Sequence, residues 1–419
     1  MFRAGSRTPL ALRPPEPESA RRVHRLALFG PAFVAAIAYV DPGNFATNFA
    51  GGARFGYLLL WVIVSANVVA MFVQSLSAKL GLATGANLPE VCRGNFRPPV
   101  VRALWIQAEI VAMATDLAEV IGGAIALNLL FGLPLLTGGL ITGLVAFGLL
   151  GLQGRGHRRF QGAVTGLFAV ILIGFLVMLL RAPVDPAASV AGLVPRFSGA
   201  ESLVLATGIL GATVMPHAIY LHSALIPQGV ELSSARQRRF ALRTQRADVL
   251  IAMGLAGLVN AAMLLVAAAL FHGSGLDRSG TLAGAHAGIG ATLDGSAALV
   301  FALALLASGF ASAGVGTYAG QVVMQGFIRR RIPLLLRRAI TLSPALIVLA
   351  LGVDPTRALV LSQVVLSFGI PFALVPLLLL TGRREVMGAL VNRRATTVVA
   401  ALVTSVIIGL NAVLLVTLL

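Results

Sequence analysis

The chain has 419 residues, 58% of them hydrophobic and only 11% charged, with a mean hydropathy of +0.91. Soluble domains carry roughly 25% charged residues, so this composition excludes a string of soluble domains and indicates a polytopic membrane protein. The net charge of +17 would suit nucleic acid, but the basic residues are spread between apolar segments, so the expected partner is a lipid bilayer and no nucleic acid.

Met1 to Pro15 holds Arg3, Arg7 and Arg13 but no apolar core followed by a cleavage site. Residues 1–25 therefore read as a disordered cytoplasmic tail, not a signal peptide. Runs of about 20 apolar residues mark spans. Eleven are predicted, near 26–50, 55–82, 102–131, 134–152, 162–182, 200–223, 247–272, 296–327, 333–352, 357–380 and 395–418. With the N-terminus inside and the spans alternating, 27 of the 32 basic residues fall in inside segments. Only Arg54, Arg181, Arg196, Arg278 and Arg357 fall outside. A missed or extra span would scramble that bias, so the expected topology has the N-terminus cytoplasmic and the C-terminus outside. The lone cysteine, Cys92, rules out an internal disulfide and a cysteine-based metal site, and reads as a small apolar filler.

Span one carries Ala38-Tyr39-Val40-Asp41-Pro42-Gly43-Asn44-Phe45. A carboxylate within a membrane helix is costly, and Pro-Gly directly after it breaks the helix. The break frees carbonyls around Ala38 and Val40 beside the Asp41 carboxylate and the Asn44 amide. Such backbone survives at membrane depth only when it lines a cavity or is covered by protein. The plainer reading is a kinked helix whose Asp41 caps the second half.

Span three holds Glu109, Asp116 and Glu119, spaced seven and three apart and so on one helical face. Burial and mutual repulsion disfavour three simultaneous charges, which suits a proton carrier. Arg337 and Arg338, near the start of span nine, are candidate countercharges, and a static salt-bridge network is the alternative. His217 and His222 in span six extend a candidate proton route.

Span six repeats the pattern of span one: Ala212-Thr213-Val214-Met215-Pro216-His217 interrupts an apolar run with a proline. Spans one and six lie an odd number of spans apart, so they run in opposite directions. Two broken helices in matching positions point to a transporter binding site between inverted repeats. The expected organisation is a first repeat at 26–182, an extracellular loop at 183–199, a second repeat at 200–380, and a cytoplasmic loop with span eleven at 381–419. Met215 offers a thioether, and the second break frees the carbonyl of Ala212 or its neighbours. Oxygens with one soft sulfur suit a transition ion such as Mn²⁺ or Fe²⁺, whereas Mg²⁺ and Ca²⁺ want oxygen only. Gln363 in span ten and Asn260 in span seven read first as interhelical hydrogen bonds, with Gln363 kept as a further candidate ligand. Gly314-Val315-Gly316 is no nucleotide loop, since no strand precedes it.

The Asp41-Pro42-Gly43-Asn44 and Met215-Pro216-His217 signatures, with Thr115-Asp116-Leu117-Ala118-Glu119 in span three, together resemble the Nramp family. These are the natural resistance-associated macrophage proteins, which include bacterial proton-dependent manganese transporters. The resemblance covers nearly the whole chain. It implies an all-α leucine-transporter-type fold of two inverted five-helix repeats plus an eleventh helix. It also implies import of Mn²⁺ or Fe²⁺ with protons across a bacterial plasma membrane, with no cofactor. The ion-holding positions of the family match Asp41, Asn44 and Met215, with the carbonyls of Ala38 and Ala212. Its proton positions match Asp41, His217, Asp116 and Glu119. Ala218 departs from the Asn that many members carry after the motif histidine, which alters local hydrogen bonding and touches no ligand.

Three rivals are weaker. A sodium-coupled amino-acid transporter of the same fold would place Asp41 against its substrate carboxylate. An intramembrane metalloenzyme needs a set such as His-Glu-x-x-His, and His217 and His222 have no Glu between them. A receptor would have no reason to bury Asp41, Asp116 and Glu119.

Overall fold

A helix stands at each of the eleven expected places in the computed structural model, which describes residues 30–154, 157–226, 234–274, 280–329 and 334–418. The tail expected at 1–25 lies outside the described residues. Span one is two half-helices, α1 (Pro31–Ile37) and α2 (Pro42–Phe55), separated by a 3-10 turn at Ala38–Val40. Span two is α3 (Leu60–Thr84), followed by the short α4 (Leu88–Asn95), then α5 (Pro98–Phe131), α6 (Leu135–Gly154) and α7 (His157–Arg181) as spans three to five. After the small α8 (Pro186–Ala191), span six is again split, into α9 (Gly199–Thr213) and α10 (Pro216–Leu225). Spans seven to eleven are α11 (Ala235–Phe271), α13 (Gly295–Ile328), α14 (Leu334–Ala350), α15 (Pro355–Thr381) and α17 (Arg394–Leu418). Between them lie two short helices, α12 (Leu282–Thr292) and α16 (Arg384–Met387). No strand occurs among the described residues.

Eight helical runs are long and apolar enough to cross a membrane, the run 42–84 taking α2 and α3 together. The apolar helices at 31–40, 135–151 and 339–350 are shorter. The widest departure from the expected boundaries is span seven. The helix begins at Ala235, well before the expected start, because Ser234 and Gln237 form a capping box there. The arginine-rich stretch is thus the solvated head of a helix and not a loop. Similarly, Asn87 and Glu90 form a capping box that starts α4, which seats Leu88, Val91 and Cys92 in the core.

The centre of the bundle is the crossing of α5 and α13, where Gly123 and Gly309 meet. A Cβ on Gly309 would lie 2.8 Å from the Gly123 nitrogen, and backbone cannot yield as a side chain can. Close backbone approach over small residues is how helices pack without a hydrophobic driving force between them. Beside this crossing, Phe45 and Phe49 of α2 meet Phe175 and Phe301 edge-on or tilted, with ring centroids 5.1 to 6.2 Å apart. That cluster fixes the second half of span one against α7 and α13.

Gly309→Leu should prevent this crossing. Overpacking costs about 1–3 kcal/mol even where side chains can move, and here they cannot. The expected outcome is loss of the monodisperse peak in fluorescence-detected gel filtration, while Gly151→Leu, where a Cβ meets open space, keeps it.

Candidate metal site and polar network

The two breaks face each other in the middle of the bundle. At the first, Asp41 is extended (φ −71°, ψ 169°) and caps α2: its Oδ1 accepts the Asn44 N–H at 2.9 Å and the Asn44 Nδ2 at 2.7 Å. The plain capping role is therefore met by one carboxylate oxygen. The other, Oδ2, has no hydrogen-bond partner although Asp41 is wholly buried. At the second break α9 ends at Thr213, and Val214 and Met215 are non-helical before Pro216 restarts the helix. Asn44 joins the breaks: its Nδ2 also donates to the Ala212 carbonyl at 3.0 Å. Its Oδ1 is left without a partner.

Other backbone groups released at the first break are held. Asn260 of α11 donates to the Tyr39 carbonyl and Ser308 of α13 to the Val40 carbonyl, both at 2.7 Å. Asn260 thus makes the interhelical hydrogen bond expected of it. The sequence alone groups the Val40 carbonyl with the freed oxygens, whereas the structure gives it a hydroxyl donor. Ala38 and Met215 are buried in the same core as Tyr39 and Val40.

Gln363 belongs to this group. Its side chain fills the space where a Cβ on Gly43 would stand, and its own carbonyl lies against Gly211 of α9. Its Nε2 donates to Ser362 at 3.2 Å and its Oε1 has no partner. Thr213, which sequence reasoning passed over, adds a buried hydroxyl without a partner at the second break. Among the described residues no three His, Cys, Asp or Glu side chains group as a metal site. A cation held here would meet one carboxylate, neutral oxygens and a thioether.

The acids of span three part company. His217, the second residue of α10, places Nδ1 3.3 Å from the Thr115 hydroxyl. That hydroxyl spends its proton on the Val111 carbonyl at 3.0 Å, so it accepts from the ring and leaves His217 Nε2 as the bare nitrogen. Asp116, the next residue, is near enough to act on His217 through its charge. Glu119 lies against α13, where a Cβ on Gly316 would be 2.7 Å from both carboxylate oxygens. Arg337 of α14 lies over Gly320 of α13 and pairs with Glu109 at 3.3 Å. Gly316, one of the two glycines that mimic a nucleotide loop in the sequence, is thus the seat of an acid, and Gly320, one turn on, the seat of a guanidinium. The side chain of Arg338 lies outside the described residues. His222 joins a separate group, with Nδ1 2.8 Å from the Gln74 side-chain Oε1 and the Gln74 Nε2 donating to the Tyr39 hydroxyl.

Residues 32–417 match the family model described as natural resistance-associated macrophage protein-like. The chain is 54% identical over 399 residues to the divalent metal cation transporter MntH of Deinococcus radiodurans, covering 95% of this chain and 91% of that one. It is 56% identical over 389 residues to the protein of that name from Mycobacterium tuberculosis, covering 92% and 90%. Its backbone is similar to crystal structures of the Eremococcus coleocola manganese transporter, with a TM-score of 0.83 at 35% identity, covering 93% of this chain and 86% of that one. The fold is accordingly the leucine-transporter type, with two inverted five-helix repeats, an eleventh helix, and helices one and six broken.

The Glu109–Arg337 pair gives a direct test of the polar network. Arg337 is only 7% exposed, so Glu109→Gln leaves a guanidinium with no ionic partner in the core. Breaking a buried pair costs about 3 kcal/mol or more. The expected result is a clearly lower melting temperature in detergent, with the double variant Glu109→Gln/Arg337→Met recovering most of it.

Proposed function

The chain belongs to the Nramp family of natural resistance-associated macrophage protein-like proteins, and from that premise we propose that it imports Mn²⁺, Fe²⁺ and similar divalent transition metals with protons, by alternating access. It is a transporter and not an enzyme. One observation carries the ion site: Asp41 Oδ2, Asn44 Oδ1 and Gln363 Oε1 are all buried without hydrogen-bond partners around two facing helix breaks. A buried oxygen with no donor is costly, and a cation would satisfy several at once.

In this reading Asp41, Asn44 and Met215 bind the ion, with the carbonyls of Ala38 and Ala212 and with Gln363 as a further oxygen. Asp41 supplies the one negative charge that offsets loss of the ion's hydration. Met215 supplies preference for softer ions. Protons follow a different set of groups, from Asp41 through the bare His217 nitrogen to Asp116 and Glu119, with Glu109, Arg337 and Arg338 as the charged end of that set and His222 as a side branch. Asp41 is the one group the two routes share. The inverted repeats are assigned to 26–182 and 200–380. The arginine bias supports a cytoplasmic N-terminus and an external C-terminus, in the inner membrane of a bacterium.

The deciding experiment is uptake into proteoliposomes carrying an internal pH dye, across a panel of divalent ions. Mn²⁺ entry with acidification supports the proposal, and Mn²⁺ entry with no pH change removes the proton half of it. Asp41→Asn keeps the shape but loses the charge, and should abolish Mn²⁺ binding by calorimetry. Wild-type affinity in that variant would move the site elsewhere. Met215→Ala tests selectivity, which is a difference of affinities. The expected outcome is a raised Ca²⁺-to-Mn²⁺ uptake ratio and a large loss of Cd²⁺ uptake. An unchanged ratio would make Met215 packing alone.

A further inference from the structure

One wholly buried acid is used by neither the ion site nor the proton route. Asp248 is on α11, distant in sequence from span one, and is 0% exposed. Its Oδ1 accepts the Gly30 N–H and its Oδ2 the Ala32 N–H, each at 2.9 Å. These are the end groups of α1. That half-helix has no capping side chain of its own, because its N-cap is Gly30, held at φ 119°. Pro31 has no N–H, and the Phe33 and Val34 N–H groups both turn to the Gly30 carbonyl, at 3.0 and 3.3 Å. Asp248 therefore takes every donor at this helix end that α1 cannot satisfy itself. In return the two N–H groups and the positive end of the helix dipole stabilise a carboxylate held away from water. Gly30 is fastened from another side too: a Cβ there would run into the Gln161 side chain of α7.

The other end of α1 is cut free by the break at Ala38–Asp41. A seven-residue half-helix with a hinge at one end and a cap from a distant helix at the other has two states, docked and undocked. We propose that Asp248 is a positioning residue of the transport cycle: it latches the inner half of span one shut, and release of the ion to the cytoplasm requires its two bonds to α1 to break. This rests on the transporter reading above and on its cytoplasmic N-terminus, which puts α1 between Asp41 and the cytoplasm.

The test uses the full chain with Cys92→Ser and a reporter, Ala36→Cys, on the wholly buried face of α1. Inside-out membrane vesicles are labelled with an impermeant maleimide. Asp248→Ala should raise the labelling rate about 10-fold or more, the shift expected when charge-assisted hydrogen bonds holding one state are lost. Asp248→Asn should raise it too, since its amide NH₂ would face one of the two N–H donors. Asp248→Glu keeps the acceptor charge and should restore slow labelling. Equilibrium Mn²⁺ binding, measured in the same variants, should persist, because Asp248 touches no proposed ligand. Parental labelling rates in the Ala and Asn variants with binding intact would overturn the latch. Loss of Mn²⁺ binding in both would make Asp248 a general support of the fold and also overturn it. If the parent itself binds no Mn²⁺ while the Asp248 variants still label fast, the proposed ion site fails and takes the role in ion release with it, while the docking of α1 by Asp248 stands.

Discussion

Backbone polar groups cannot be left unpaired in a membrane, and the centre of this protein is built on that constraint. Breaking two helices at mid-depth releases carbonyls and N–H groups that lipid cannot solvate. The bundle returns a partner to two of them from distant helices: Asn260 to Tyr39 and Ser308 to Val40. Those donors decide which oxygens are spent on the fold. The oxygens of Asp41, Asn44 and Gln363 that receive no donor are what the fold leaves for chemistry. Structure and site thus come from a single distribution of hydrogen-bond partners.

Small residues make that distribution possible. Gly123 and Gly309 bring α5 and α13 into backbone contact, which carries Ser308 to the first break. Gly316 and Gly320 on the same helix leave room for the Glu119 carboxylate and the Arg337 guanidinium. Gly43 and Gly211 admit Gln363 between the two breaks. At Gly43, Gly211, Gly316 and Gly320 the place of the missing Cβ is taken by a polar group of another helix. Side chains too expensive to leave facing lipid are accommodated in notches on their neighbours.

The polar groups also divide by element. Asp41, Asn44 and Gln363 sit on spans one and ten, whereas Thr115, Asp116 and Glu119 sit on span three with His217 bridging from span six. His217 is sequence-adjacent to Pro216 and the second break, two residues beyond Met215. In the function proposed above, that arrangement would couple two ions whose contacts differ. Coupling of this kind needs an element with two positions, and the half-helices, hinged at their breaks, are the elements that supply it.

Much of this was legible without coordinates, because it rests on local chemistry. Apolar length gives the spans, the arginine bias gives their alternation, and Pro-Gly and Met-Pro mark where hydrogen bonding along a helix must fail. The candidate ligands follow from those breaks, since Asp41, Asn44 and Met215 are within a few residues of them. What the tertiary structure decided is long-range. Nothing near Val40 in the chain reveals that Ser308 occupies its carbonyl, and nothing near Gln363 reveals that Gly43 makes room for it. The three acids of span three share a helical face by periodicity, but their different partners come from three other helices. Asp248 has nothing local to single it out in the sequence; only packing brings it to the end of α1. Helix periodicity and backbone breaks are written within a few residues, whereas a hydrogen bond between helices depends on how far apart two backbones come to rest.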